Sequence, residues 1–327
     1  MSARELIVLI AMCVVWGLHF VVIKLAVEEL PPIFYAAIRM TLVAVIMAPF
    51  LRWRPGHMVW VLSGGVCLGA MNYALMFSGV SFATASASAI AIELYVPFAT
   101  ILSMIFLGDK LGWRRALGIS MAFAGVAIIA LGEHGEGANG ETRMALGIGL
   151  VAAGAFSEAV GAILVKKSIA FKPHELLAWF AVVGAVGLWL MTLLFETGQA
   201  AAFEQSDKGL VIGAIIYSAV GASIFGHTAY YWLLQRLPVS VVAPSMLLTT
   251  VMAVFFSVLL LGDPFGLRMV AGGLMTLCGV GFVLYRNARK QKVKAAPVLQ
   301  PRAGMEAEAG EDAGGAKPVE AAPVHKA

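Results

Sequence analysis

Charge is scarce in this chain. Only 13% of its residues are Asp, Glu, Lys or Arg, while 60% are hydrophobic. A soluble domain of 327 residues has too little interior to hide that much apolar surface, so the composition excludes one. Cysteine is scarce too. Cys13, Cys67 and Cys278 all fall in apolar stretches, which excludes a disulfide framework and leaves three small buried hydrophobes. Other absences narrow the chemistry. Without a P-loop the chain does not itself hydrolyse ATP. Without HExxH or paired intramembrane aspartates, metallo- and aspartyl proteolysis lack their groups. No metal site and no cofactor is read.

Long apolar runs are present instead. A membrane span needs about 20 apolar residues. Ten candidates follow one another at roughly 6–27, 32–51, 57–78, 82–107, 112–131, 144–166, 174–195, 209–234, 239–261 and 267–286. They are too long for barrel strands and lack strand alternation, so the expected fold is an all-α integral membrane protein of ten helices. The first run carries His19 and Lys24 and is longer than a signal-peptide core, so it is expected to be retained.

One stretch occurs twice. Leu107–Val126 reads LGDKLGWRRALGISMAFAGV and Leu261–Val280 reads LGDPFGLRMVAGGLMTLCGV. At a constant offset (261 − 107 = 154), Leu, Gly, Asp, Gly, Arg, Gly, Met, Gly and Val all recur. An odd number of spans separates the copies, so the halves are expected to lie inverted, 1–131 against 144–286, joined by a polar outer linker at 132–143. Inverted repeats around a midplane site are the usual build of a secondary transporter. Residues 287–327 are rich in Ala, Gly, Glu, Pro and Lys and read as a disordered cytoplasmic tail.

The net charge of +4 informs by location. With the N-terminus inside, Arg4, Arg52, Arg54, Lys110, Arg114, Arg115, Lys166, Lys167, Lys172, Arg236 and the Arg286–Lys294 cluster face the cytoplasm. The outer connections carry Glu28, Glu29, Glu196, Asp207 and Asp263 instead. The positive-inside rule therefore places both termini in the cytoplasm of a multi-pass inner-membrane protein. The basic surface meets anionic lipid headgroups, and nothing calls for nucleic acid. Small-xxx-small spacings at Gly118/Ala122, Gly149/Ala153 and Ala222/Gly226 read as helix-packing seams.

Several of these residues fit a known pattern. Trp16-Gly17-Leu18-His19-Phe20-Val21-Val22-Ile23-Lys24 resembles the first-helix WGxNFxxxK motif of the EamA family in the drug/metabolite transporter superfamily. Arg39 in Ala36-Ala37-Ile38-Arg39 matches its second-helix arginine. Pro97-Phe98 with Leu107-Gly108-Asp109, and Ala243-Pro244 with Leu261-Gly262-Asp263, resemble its fourth and ninth helices and their exits. The resemblance covers about residues 5–286. It implies a ten-helix transporter of small metabolites, most often amino acids or their derivatives, usually moved outward as in O-acetylserine/cysteine-type exporters. The chain departs from the pattern at His19, where Asn is common, and at Glu158, where an aromatic is usual. Substrate is therefore not carried over.

Ionisable groups inside spans are costly, and function is the default reason they persist. Glu93 lies mid-span, four residues before Pro97, whose missing N–H frees a carbonyl at that point. It would bind a substrate ammonium or take up a proton in each cycle; the bland alternative is an ion pair with Arg39. Glu158 has the same two roles, set against a carboxyl facing a wet vestibule. His19 would offer a polar contact or titrate near neutral pH. His227 reads equally as a lining group and as a core histidine on a backbone carbonyl. Trp16, Asn72 and Tyr95 share a depth with the acids and suit an amphipathic metabolite. Arg39 is either a structural ion pair or a partner for a substrate carboxylate. Lys24 would close an outer gate or anchor at the interface. Trp53, Trp60 and Trp113, at span ends, read as interfacial anchors. The expected partners are a small-molecule substrate, the bilayer and, if the acids couple transport, protons. A reading of another class, an intramembrane hydrolase, rests on Gly221-Ala222-Ser223-Ile224-Phe225-Gly226-His227, although its His sits on the same helix as its Ser.

Overall fold

The computed structural model describes residues 1–107, 112–131, 138–165, 171–237 and 239–295. The main compact unit is Met1–Lys290. The long helices of the chain are α1 (Ala3–Glu29), α2 (Pro32–Met47), α3 (Met58–Phe82), α4 (Ala85–Leu107), α5 (Trp113–Ala130), α6 (Ala138–Val165), α7 (Pro173–Phe195), α8 (Lys208–Leu234), α9 (Val239–Leu261) and α10 (Leu267–Ala295). A short exposed helix, Gln199–Gln205, links α7 to α8. Among the described residues, nine of these helices are long and apolar enough to cross a membrane; α9 has a shorter apolar stretch, Ser245–Leu261. An all-helical build follows from the solvent, because hydrocarbon offers the backbone no partners and a helix satisfies its own N–H and C=O groups.

Glycine sets how closely these helices pack. A Cβ on Gly118 would come 2.9 Å from Gly279 O, and one on Gly279 would come 2.5 Å from Gly118 O. Seven residues along, a Cβ on Gly272 would come 2.6 Å from Gly125 O. The partners run 118 with 279 and 125 with 272, so α5 and α10 lie antiparallel with their backbones touching. Gly69 and Gly184 form a similar contact between α3 and α7. Of the small-residue pairs singled out in the sequence, Gly118/Ala122 lies in the first seam. Gly226 lets the indole of Trp16 lie against the α8 backbone, where its Nε1 donates to Ala222 O at 2.8 Å. Gly149 faces open space, so Gly149/Ala153 is not a seam; spacing alone does not tell which helix face has a neighbour.

Three helices depart from α geometry mid-length. A wide, π-type turn occupies Val66–Met71 in α3 and another Tyr217–Phe225 in α8, while a 3₁₀ turn, Ile92–Leu94, interrupts α4 just before Pro97. Adding 154 to the first wide turn carries it onto 220–225, inside the second. Such turns release backbone groups and recur at functional sites.

Boundaries differ from the expected ones in places. The third span extends to Phe82, and α4 begins only at Ala85, because Thr84 Oγ1 caps it by accepting from Ala87 N at 3.2 Å. Helix α6 starts at Ala138, within the stretch read as linker, and α10 runs to Ala295, within the stretch read as tail. Residues 132–137 and 296–327 lie outside the described residues, as do Gly108 and Asp109 of the first repeated motif. The second copy of that motif is visible. Asp263 Oδ2 accepts from Ser86 N at 2.8 Å and Ser86 Oγ at 2.6 Å, capping the start of α4. At the opposite end of the bundle, Arg54 pairs with both oxygens of Glu175 at 3.0 and 2.9 Å, joining the α2–α3 connection to α7.

Candidate functional site

The irregular segments bring most of the flagged polar residues into two groups. In the first, Asn72 stands directly after the wide turn of α3. Its Nδ2 donates to Gly154 O at 3.0 Å and to Glu158 Oε2 at 3.4 Å, both on α6. Glu93, on the 3₁₀ turn of α4, is buried and its Oε1 accepts from Thr250 Oγ1 of α9. Tyr95, half-buried, follows that turn and packs against an apolar cluster that includes Leu94, Val126 and Val151. Each carboxyl thus meets a neutral donor from another helix.

The second group gathers around the wide turn of α8. His19 Nε2 lies 3.0 Å from Ser218 Oγ, and Tyr35 Oη lies 2.6 Å from the same hydroxyl and 3.1 Å from Ala214 O. Tyr35 stacks on Phe77, with ring centroids 5.6 Å apart. Arg39 Nη2 donates to Ser223 Oγ at 2.5 Å, and its guanidinium carbon sits 4.4 Å from the Tyr73 ring centroid. Trp16 meets His227 edge-on at 5.5 Å.

Several expectations need correction. Arg39 does not pair with Glu93. Among the described residues the ion pairs are Lys24–Glu28 and Arg54–Glu175. An arginine one helix turn beyond Tyr35 rests on a hydroxyl and on aromatic faces, which sequence spacing does not disclose. Lys24 holds a local contact as well as its ion pair with Glu28: its Nζ donates to Val80 O at 3.2 Å and Ala83 O at 3.1 Å. It thereby closes the C-terminal end of α3, where free carbonyls concentrate negative charge. His227 Nδ1 lies 2.8 Å from the Ser223 carbonyl, on its own helix, while the Ser223 hydroxyl accepts from Arg39. A nucleophile needs its base on the hydroxyl, so the contact on which the hydrolase reading depends is replaced by these two bonds. Of the tryptophans read as anchors, Trp53, in the α2–α3 connection, and Trp113, at the start of α5, lie largely exposed, while Trp60 is half-buried.

Sequence reasoning missed Thr250, Ser218 and Tyr35. Tyr35 carried a usable signal, since it precedes Arg39 by four residues and so shares its helix face. Thr250 and Ser218 carried none, because a lone hydroxyl in a span usually bonds its own backbone. No cluster of three metal-ligating side chains occurs among the described residues.

The model of the EamA-like transporter family matches this chain twice, over residues 3–131 and 145–285. The chain is similar to a probable amino-acid metabolite efflux pump of Salmonella typhimurium, with 28% identity over 302 residues, covering 88% of this chain and 99% of the relative. It is similarly related to a probable amino-acid metabolite efflux pump of Escherichia coli, at 27% identity, covering 90% and 99%. A crystal structure superposes with a TM-score of 0.58 over 89% of this chain and 100% of its own, at 17% identity, a likeness of fold alone. With two matched segments spanning most of its length and a bundle of apolar helices, the chain is a multi-pass membrane protein and belongs to the EamA-like transporter family.

Proposed function

We propose that this chain exports a small amino-acid-type metabolite across the inner membrane by alternating access. Ten crossings form two inverted halves of five, 1–131 and 144–286, with both termini in the cytoplasm. The antiparallel Gly118–Gly279 and Gly125–Gly272 contacts support the inversion, because they join equivalent helices of the two repeats in opposite directions. The distribution of charge supports the orientation. Efflux as the direction and amino-acid metabolites as the cargo follow the relatives' names.

The observation that carries this reading is the pair of mid-helix acids. Glu93 and Glu158 each accept from a neutral donor, Thr250 and Asn72, and neither lies within ion-pair distance of a cation among the described residues. A carboxyl in that setting is costly for stability alone. It suits a group that binds a substrate ammonium and exchanges a proton during the cycle. Trp16, His19, Asn72, Tyr95 and His227 line the path, and rocking of the halves exposes it to each side in turn.

The test is efflux of a labelled amino-acid panel from proteoliposomes, wild type beside Glu93→Gln, across a pH series. Selective wild-type efflux that the variant loses, together with its pH dependence, is the expected result. Equal efflux with unchanged pH dependence removes Glu93 from the pathway, and no efflux of any member removes the amino-acid assignment.

A further inference from the structure

Among the described residues, Arg39 is a cation without an anion. It is 1% exposed, yet its Nε and Nη1 are buried with no hydrogen-bond partner among the described residues. Its remaining contacts are the Ser223 hydroxyl at 2.5 Å and the faces of Tyr73 and Phe77, at 4.4 and 5.4 Å from its Cζ. These orient the guanidinium and soften its burial, but they do not neutralise it. Arginine keeps its proton in proteins, and a buried charge lacking its counter-charge costs several kcal/mol.

The acids show the complementary deficit. Glu158 reaches Asn72, and Arg39 covers the ring of Tyr73, the next residue along α3. An acid from α6 and a cation from α2 therefore meet neighbouring residues of α3, Asn72 and Tyr73, just after its wide turn, and are not paired with each other. The bulk of Tyr73 and Phe77 beside the guanidinium, and the hold of Ser223, keep the cation on the α8 side. A ligand carrying both charges completes both groups; a ligand carrying one leaves the other unmet.

We propose that Arg39 holds the carboxylate of the transported compound while Glu158 and Glu93 receive its ammonium end, so that the site selects zwitterions over the matching amides and amines. This rests on the transport reading above and adds the residue that sets specificity and the orientation of the cargo.

The experiment compares leucine, cysteine and phenylalanine with their carboxamides and the corresponding amines. Efflux from proteoliposomes and thermal stabilisation of the detergent-solubilised full chain are both read. Wild type should favour each amino acid over its carboxamide by about 10–100-fold, the range of one charge-assisted contact. Arg39→Gln should bring that preference near unity, and Arg39→Lys should keep part of it, since lysine supplies the charge without the planar fork. If Arg39→Gln does not fold, Ser223→Ala, which removes the hydroxyl that steers the guanidinium, should lower the preference in its place. Equal handling of acids and amides by wild type overturns the assignment of Arg39 and leaves transport standing. So does an unchanged preference in whichever variant folds, or stabilisation by chloride that matches the amino acids. Should no compound move or stabilise the protein, the amino-acid reading falls and takes this assignment with it.

Discussion

Trp16 and Gly226 illustrate how one residue depends on another across the bundle. The indole lies where a Cβ on Gly226 would sit, and its N–H is bonded to Ala222 O. Gly226→Val should therefore force the ring away, lose that bond and destabilise the protein by about 1–3 kcal/mol, the usual cost of overpacking. Thermal unfolding in detergent measures it. Thr250→Val is the gentler counterpart. It removes the donor to Glu93 at nearly constant volume, and should alter the pH profile of efflux more than the melting temperature. At this scale the sequence was only half legible. Burial cost picked out Glu93, Glu158, His19 and Arg39, because an ionisable group in an apolar run announces itself. Their partners Thr250 and Ser218 were silent, and Ser223 was flagged for another role, because their importance comes from a contact made across more than 150 positions of chain.

Between helices, the α5–α10 seam is the clearest prediction. Gly118→Val or Gly272→Val should each push two backbones apart, costing about 1–3 kcal/mol and lowering the fraction of folded protein on size exclusion. Gly149→Val, which faces open space, should be near neutral in the same assay. The contrast separates a seam from a mere glycine. Helices were read from the sequence with small errors at their ends, since apolar length and the hydrocarbon solvent leave little freedom. Which glycines touch was not legible, because it depends on the rotation of each helix about its axis. The wide turns in α3 and α8 were invisible for a related reason. No proline marks them, and although Gly64-Gly65 directly precedes the first, glycine is too common in these spans to single it out, whereas Pro97 did flag the break in α4.

For the molecule as a whole, sidedness is the property to test. Trp53 and Phe265 are 66% and 59% exposed at opposite ends of the proposed topology. In a background lacking Cys13, Cys67 and Cys278, a cysteine at Phe265 should react with an impermeant maleimide in intact cells. One at Trp53 should react only after permeabilisation. The reverse pattern would overturn the orientation drawn from charge. The duplicated motif made the two-part plan legible early, because its glycines and aspartate recur at one offset. The setting of the charged groups was not, because it depends on contacts between the halves: Arg39 meets the wide turn of α8, and Glu158 meets Asn72 beside the wide turn of α3.

The seam between α5 and α10 has a further consequence for ancestry and assembly. Its contacts exchange equivalent positions, Gly118 with Gly279 and Gly125 with Gly272, so the surface is self-complementary in the way a two-fold dimer interface is. A single half bearing such a surface could recognise another copy of itself, provided the second copy entered the bilayer upside down. In the inverted topology proposed above, joining the halves in one chain fixes their ratio at one to one and their opposed insertion. It also frees each to diverge, so that a symmetric frame can hold the unlike-ended cargo proposed above.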